Sequence, residues 1–376
     1  MGALDGILVA DFSRVLAGPI ATMTLGDLGA DVVKVERPGA GDDTRAWGPP
    51  FAADGRSTYF LSVNRNKRGL ALDLGTDDGR RQALELAAAA DVLVENFAPG
   101  TMERFGLGYE QIGNPRLVYA SVTGFGRHQP APGYDFLVQA VGGLMSITGD
   151  PGGAPTKVGV ALVDVLAGQQ LTAGILAALY ARERTGRGQR VEVDLLSSLL
   201  AGLVNQASGY LNAGVVPGRM GNRHPSIAPY ETLRAADGEF AVAVGNDRQF
   251  ERLASALGLP GDGRFATNSG RVAHREALTA AIEAVTVHRE KTHWIEVLTA
   301  AGVPCGPVNT VAEGIALAER LGLAPVVEVD GARSVASPIR LSETPVTYRL
   351  PPPQEPSREP SREPSQETSR EPAQDA

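Results

Sequence analysis

The chain has 376 residues, 43% of them hydrophobic, enough for about two or three soluble domains with an extensive buried core. Its 43 acidic against 35 basic side chains leave a formal net charge of −8, which excludes an overall electrostatic pull toward nucleic acid or an anionic membrane. The single cysteine, Cys305, excludes an intramolecular disulfide, and no CxxC or paired-His spacing marks a metal site. No basic apolar leader opens the chain, and its most apolar stretches, 175–181 and 195–204, read as too short or too interrupted to cross a bilayer, so the expectation is a cytoplasmic protein.

The first 125 residues alternate between strand and helix patterns. Residues 6–12 read as a buried strand, 20–28 as a helix ended by Gly29, and 31–36 as the next strand. Further strands are predicted at 69–74, 91–95 and 117–122, with the Ala-rich segment 80–90 as a crossover helix. Repeated β-α-β units imply a parallel sheet covered by helices, an α/β fold with a large Rossmann-like domain. Helical patterns follow at 136–147 and 165–185, a strand at 189–194 and an apolar helix at 195–211.

Gly, Pro and Asn accumulate over 212–224 and mark a linker, so the large domain is placed at 1–211. A smaller α+β domain is expected at 225–321, with a strand at 239–244, amphipathic helices at 247–257 and 275–286, and a closing segment at 305–309. Residues 322–350 are expected to return to the large domain, because the strand-like run 326–329 cannot stand alone. From 351 the chain is a low-complexity tail rich in Pro, Glu, Ser and Arg, expected to be disordered.

The opening β-α-β unit invites a dinucleotide reading, with Glu36 at the end of the second strand. The glycine fingerprint is missing: the first turn, Ser13-Arg14-Val15-Leu16-Ala17-Gly18-Pro19, has one glycine and it precedes a proline. A nicotinamide enzyme is therefore excluded. Asp164 follows an apolar stretch at the head of the helical pattern 165–185. Such an Asp caps free backbone N–H groups and feels the positive end of the helix dipole, which keeps its carboxylate ionised. By position alone it is either a cap or a nucleophile.

Several blocks occur in order: Arg14-Val15-Leu16-Ala17-Gly18-Pro19, Val35-Glu36-Arg37-Pro38-Gly39, Asn64-Arg65-Asn66-Lys67-Arg68-Gly69, Val94-Glu95-Asn96-Phe97-Ala98-Pro99-Gly100, Gly133-Tyr134-Asp135-Phe136, the Asp164 segment and Thr185-Gly186-Arg187-Gly188-Gln189. With them the sequence resembles the class III CoA-transferases, the family of formyl-CoA transferase and the CaiB/BaiF proteins. The resemblance implies two subunits interlocked as a homodimer, acyl-CoA and free carboxylic acid as substrates, and no tightly bound cofactor. Asp164 matches the family's catalytic aspartate, which attacks the thioester to give an aspartyl anhydride and then an aspartyl-CoA thioester. Val15, Ala17, Arg37, Leu72, Asn96, Phe97 and Arg104 match its CoA contacts.

Substrate-facing candidates are Leu16, Tyr134, Asp135, Arg223 and His224, the last two flanked by Asn222 and Tyr230. An Arg-His pair in a Pro-rich loop could bind a carboxylate or shape a turn. Leu16 stands where formyl-CoA transferase has a glutamine, and that enzyme's glycine-only loop is absent; both argue against formyl or oxalyl transfer. An α-methylacyl-CoA racemase is the rival reading. It needs two bases, and the resembling racemases place a His where this chain has Tyr134, whose unperturbed pKa of about 10 suits it poorly as a base. A non-catalytic acyl-CoA-binding protein is the other alternative, set against the intact Asp164.

Overall fold

The computed structural model describes residues 1–354. The tail expected to be disordered lies outside the described residues from 355 onward. The chain forms two compact units, one of residues 1–138, 161–202 and the stretch from 325, the other of 139–160 and 203–324. Segment 139–160, read from the sequence as part of the large domain, groups with the second unit, as do residues 203–211.

The first unit is built on six strands: β1 Leu8–Asp11, β2 Asp31–Glu36, β3 Lys67–Ala71, β4 Val92–Glu95, β5 Val118–Thr123 and β6 Arg190–Asp194. Their order is β3-β2-β1-β4-β5-β6, and every neighbouring pair is parallel. The apolar runs in β2 and β4 are buried throughout, as a sheet covered on both faces requires. The chain runs outward one way through β1, β2 and β3 and the other way through β4, β5 and β6, so the winding reverses between the neighbours β1 and β4. The crevice beyond the carboxyl ends of these two strands is where open α/β sheets bind ligands.

Helix α1 (Ala17–Asp27) follows β1, and the long helix Leu162–Thr185 precedes β6. The long helix is long and apolar enough to cross a membrane by length and composition, which the sequence reading had denied of any stretch. It is nevertheless a core helix: Val163, Ala167, Leu171, Ile175 and Ala178 are buried at helical spacing, and it packs on α1. Gly168 permits this approach, since a Cβ there would stand 2.7 Å from the Ala17 carbonyl oxygen.

Two expected helices are interrupted. The pattern 136–147 divides into Asp135–Val141 and Leu144–Ile147, with Gly143 at φ 89° between them. The pattern 195–211 divides into Leu195–Gly202 and Val204–Ala213, and Val204 takes φ 40° at the break. Strand β3 starts and ends earlier than the hydrophobic run 69–74 suggested, leaving Leu72 just past its end. The strand at 326–329 pairs not with the large sheet but with its own neighbour, forming an antiparallel hairpin of β10 Val326–Val329 and β11 Ala332–Val335.

The second unit carries an antiparallel sheet of β7 Tyr230–Ala235, β8 Gly238–Ala243 and β9 Cys305–Pro307. Its core gathers Phe240, Leu253, Ile282, Trp294 and Leu298.

Candidate active site

The turn after β1 is fastened from several sides. Asn96, at the end of β4, accepts the Arg14 N–H at 2.8 Å and donates to the Arg14 carbonyl at 2.7 Å, stitching the turn across the crevice. Asp11 accepts the N–H of Ser13, and Lys34 donates to the Ser13 carbonyl. Val15 takes φ 70°, a left-handed conformation that is unusual for a β-branched residue. Helix α1 then begins with no side-chain cap, so its first N–H groups depend on other partners.

Asp164 is brought to the same place by the long helix. Contrary to expectation it does not cap that helix: the helix starts at Leu162, Asp164 is its third residue, and the cap position is held by Ala161 without a side-chain bond. The capping carboxylate comes instead from Asp135, whose Oδ1 accepts the Val163 N–H at 2.8 Å and the Asp164 N–H at 3.4 Å. Asp135 reaches this point because the loop before it lies directly on the end of β5. A Cβ on Gly133 would fall 2.1 Å from the Gly124 Cα, so both positions require glycine.

The electrostatics of Asp164 also differ from the sequence reading. Burial, with the nearby Asp135 charge added, pushes its carboxyl up to about 7, so at neutral pH it is poised between acid and carboxylate rather than fixed as an anion. Tyr59 responds to the same surroundings: burial, then the charges of Asp164, Asp135 and Asp42, raise its phenol to about 12, and it keeps its proton.

These elements enclose a cleft of about 540 Å³ walled by residues 14–17, Trp47, 96–99, 122–124, 130–135, Asp164 and Leu195. It collects Val15, Leu16, Ala17, Asn96, Phe97, Tyr134, Asp135 and Asp164 from the expected set. A neighbouring recess of about 220 Å³ holds Arg37 and Leu72 beside Arg14, Phe97 and Phe105. Arg104 lines neither; it is exposed and donates to Thr101. Arg223 and His224 belong to the second unit, where Arg223 pairs with Glu231 and Glu276, and His224 accepts from the Ser226 N–H and leans on Tyr230. Asn222 donates to Thr232.

Three residues were missed. Arg14 lines both hollows, its guanidinium lies 5.1 Å from the Phe97 ring, and its Nε is buried without a hydrogen-bond partner among the described residues. Trp47 lines the cleft and packs edge-on against Tyr59, with ring centroids 5.1 Å apart. Arg14 sits within a block that the sequence displays, whereas nothing in the spacing around Trp47 and Tyr59 ties them to Asp164.

The family profile for CoA-transferase family III matches residues 4–356. The chain is a family III CoA-transferase. Among relatives of this CoA-transferase, the succinate–glutarate CoA-transferase of Agrobacterium fabrum is 42% identical over 369 residues, covering 93% of this chain and 92% of its own. The succinyl-CoA:mesaconate CoA-transferase of Haloarcula marismortui is 42% identical, with 92% and 91% covered. The acetyl-CoA:oxalate CoA-transferase of Acetobacter aceti is likewise 42% identical, with 91% and 90% covered. A CaiB/BaiF family protein from Brucella suis superposes with a TM-score of 0.85 at 44% identity, covering 94% of this CoA-transferase and 96% of that chain.

Proposed function

We propose that this CoA-transferase moves CoA from a dicarboxylic acyl-CoA, with succinyl-CoA as the donor, to a free dicarboxylic acid, and that Asp164 is the nucleophile. The observation that carries the reading is a carboxyl group set in a cleft at the switch point of the sheet, on a helix whose cap is supplied by another residue, with burial raising its pKa in support. The relatives named above act on succinate, glutarate, mesaconate and oxalate, which supports the dicarboxylic class and leaves the acceptor to be determined.

The ionised Asp164 attacks the thioester carbonyl and expels CoA thiolate, giving a mixed anhydride. The thiolate then attacks the aspartyl carbonyl and releases the first acid. The second acid displaces the thiolate from the aspartyl thioester, forming a new anhydride. Thiolate attack on its acyl carbonyl completes the new acyl-CoA and regenerates the Asp164 carboxylate.

Asp135 fixes the first turn of the helix through each step, and Tyr59 remains a neutral phenol beside the reacting carboxylate. The guanidinium groups of Arg14 and Arg37 border the recess next to the cleft and suit the phosphates of CoA. No histidine lines the cleft among the described residues, so the cleft offers no imidazole pair for a racemase. An interlocked homodimer accords with the exposed apolar side chains Tyr134, Phe136, Leu137 and Leu200 in the first unit.

The test is incubation with succinyl-CoA and a set of free dicarboxylic acids, read by mass spectrometry of the thioesters and of the intact protein. Transfer should require the free acid, CoA should be found bonded to Asp164 under turnover, and Asp164→Ala should abolish both while still binding CoA. Transfer by Asp164→Ala would overturn the mechanism.

A further inference from the structure

Some of the most deeply buried charges of the first unit lie beneath the turn that walls the cleft. Lys34 and Asp42 are enclosed, with Nζ and Oδ2 2.9 Å apart. Lys34 lines neither the cleft nor the recess, and Asp42 only borders the recess. Both nevertheless bond to the turn's backbone. Lys34 Nζ donates to the Ser13 carbonyl at 3.0 Å, and the two Asp42 oxygens accept the Val15 N–H at 3.3 and 3.4 Å.

Asp42 is itself held in place. It accepts from the Thr44 N–H and hydroxyl, and its own N–H donates to Glu36. The turn is therefore gripped on either side of Arg14 by this pair and at Arg14 itself by Asn96.

An ion pair this deep contributes little net stability, because desolvation offsets the attraction, and apolar residues of similar volume would pack as well. What apolar residues would not do is hold the backbone of Ser13 and Val15 against the strain at Val15. The charges persist in place. Burial draws the Lys34 ammonium down, but Asp11 and Asp42 outweigh it; burial draws Asp42 up, but Lys34 and the Thr44 bonds hold it below the usual carboxylate range.

We propose that Lys34 and Asp42 are positioning residues: their ion pair holds Val15 in its left-handed conformation and so aims the uncapped amide groups at the start of α1 into the cleft that holds Asp164. The inference rests on the reading of that cleft as the site of CoA transfer. Lys34 lies outside both hollows and Asp42 outside the cleft, so the pair acts on the cleft through the turn.

The experiment compares Lys34→Met, Asp42→Asn and the doubly neutral Lys34→Met/Asp42→Leu, the last leaving no orphaned charge if a single variant fails to fold. Each is assayed with succinyl-CoA and a dicarboxylic acid that the native protein accepts, with activity expressed per folded protein. We expect kcat to fall about a hundredfold while KM for succinyl-CoA changes less than about threefold. Adding Val15→Gly to Asp42→Asn should restore at least about a tenth of the lost rate, because glycine adopts the left-handed conformation without strain. Unchanged kcat in the folded variants despite a lower melting temperature, or no recovery with Val15→Gly, would overturn the proposal. Asp164→Ala, run in parallel, separates the two failures: its activity would remove the reading of the cleft, whereas a dead Asp164→Ala beside a fully active Lys34→Met would remove only the role of the pair.

Discussion

The carboxylate of Asp135 caps the helix on which Asp164 stands, accepting the Val163 N–H at 2.8 Å and the Asp164 N–H at 3.4 Å. One acid therefore satisfies the helix terminus, and the other is spared that task. Their nearness also sets the acidity of Asp164: desolvation is the larger cause of its raised value and the Asp135 charge the second.

A pH profile follows from this arrangement. With Asp164 as the proposed nucleophile, attack would require the carboxylate, so kcat/KM should rise with pH through an apparent value near 7 and flatten above it. Asp135→Asn keeps an oxygen for the cap and removes the charge. It should therefore move the acid limb to lower pH, though not to the ordinary carboxylate range, because burial remains. A limb that does not move would refute the coupling.

Stability should carry the same signature. The Asp164 carboxyl binds its proton up to about 7 when folded and to 3.8 as an ordinary group, so the folded state holds more protons between those values. Its contribution to stability must fall as pH rises through that window and level off above it. Asp164→Asn should then gain on the native protein with rising pH, by about 1–3 kcal/mol at pH 8 relative to pH 4 after allowance for solvent screening. Denaturant titrations at the two pH values measure the difference directly. Glu95, raised to about 7 by burial, slopes the same way in both proteins and cancels in the comparison.

Gly168 offers a steric test. A methyl group there meets the Ala17 carbonyl at 2.7 Å, a backbone atom that cannot swing aside. Gly168→Ala should separate the long helix from α1 at a cost of about 1–3 kcal/mol. Because Asp164 lies one helical turn earlier on the same face, transfer should fall about 10- to 100-fold. Undiminished turnover would show that the site tolerates this displacement.

The arginines beside the recess should behave differently from Asp164. Arg14→Gln and Arg37→Gln are expected to weaken CoA binding about 3- to 30-fold by calorimetry, the effect shrinking at high salt, and to raise KM with little change in kcat. A kcat effect without a KM effect would reassign either residue to the chemical step.

The sheet was legible in the sequence because its strands are short apolar runs separated by turn residues, and 31–36 was read to the residue. The failures have physical causes. Helix patterns 136–147 and 195–211 are mostly apolar and contain no proline, but Gly143 and Val204 bend the chain in ways that periodicity does not register. Asp164 was visible through its block. Its cap was not, since Asp135 lies 29 residues away and reaches it only through the backbone contact of Gly124 with Gly133. Trp47 and Tyr59 likewise join the site through tertiary packing alone.

The Asn96 amide that stitches the Arg14 backbone to the end of β4 has a bearing on substrate choice. These two bonds tie both sides of the crevice together at its floor, which opposes a splaying of the strands. On the proposed reading of the cleft, discrimination would fall to the parts of the wall outside that seam, the half-exposed indole of Trp47 and the Pro130-Ala131-Pro132 rim. A rigid bed with an editable border allows one chemistry to be retuned for different acids by substitutions that leave the bed untouched.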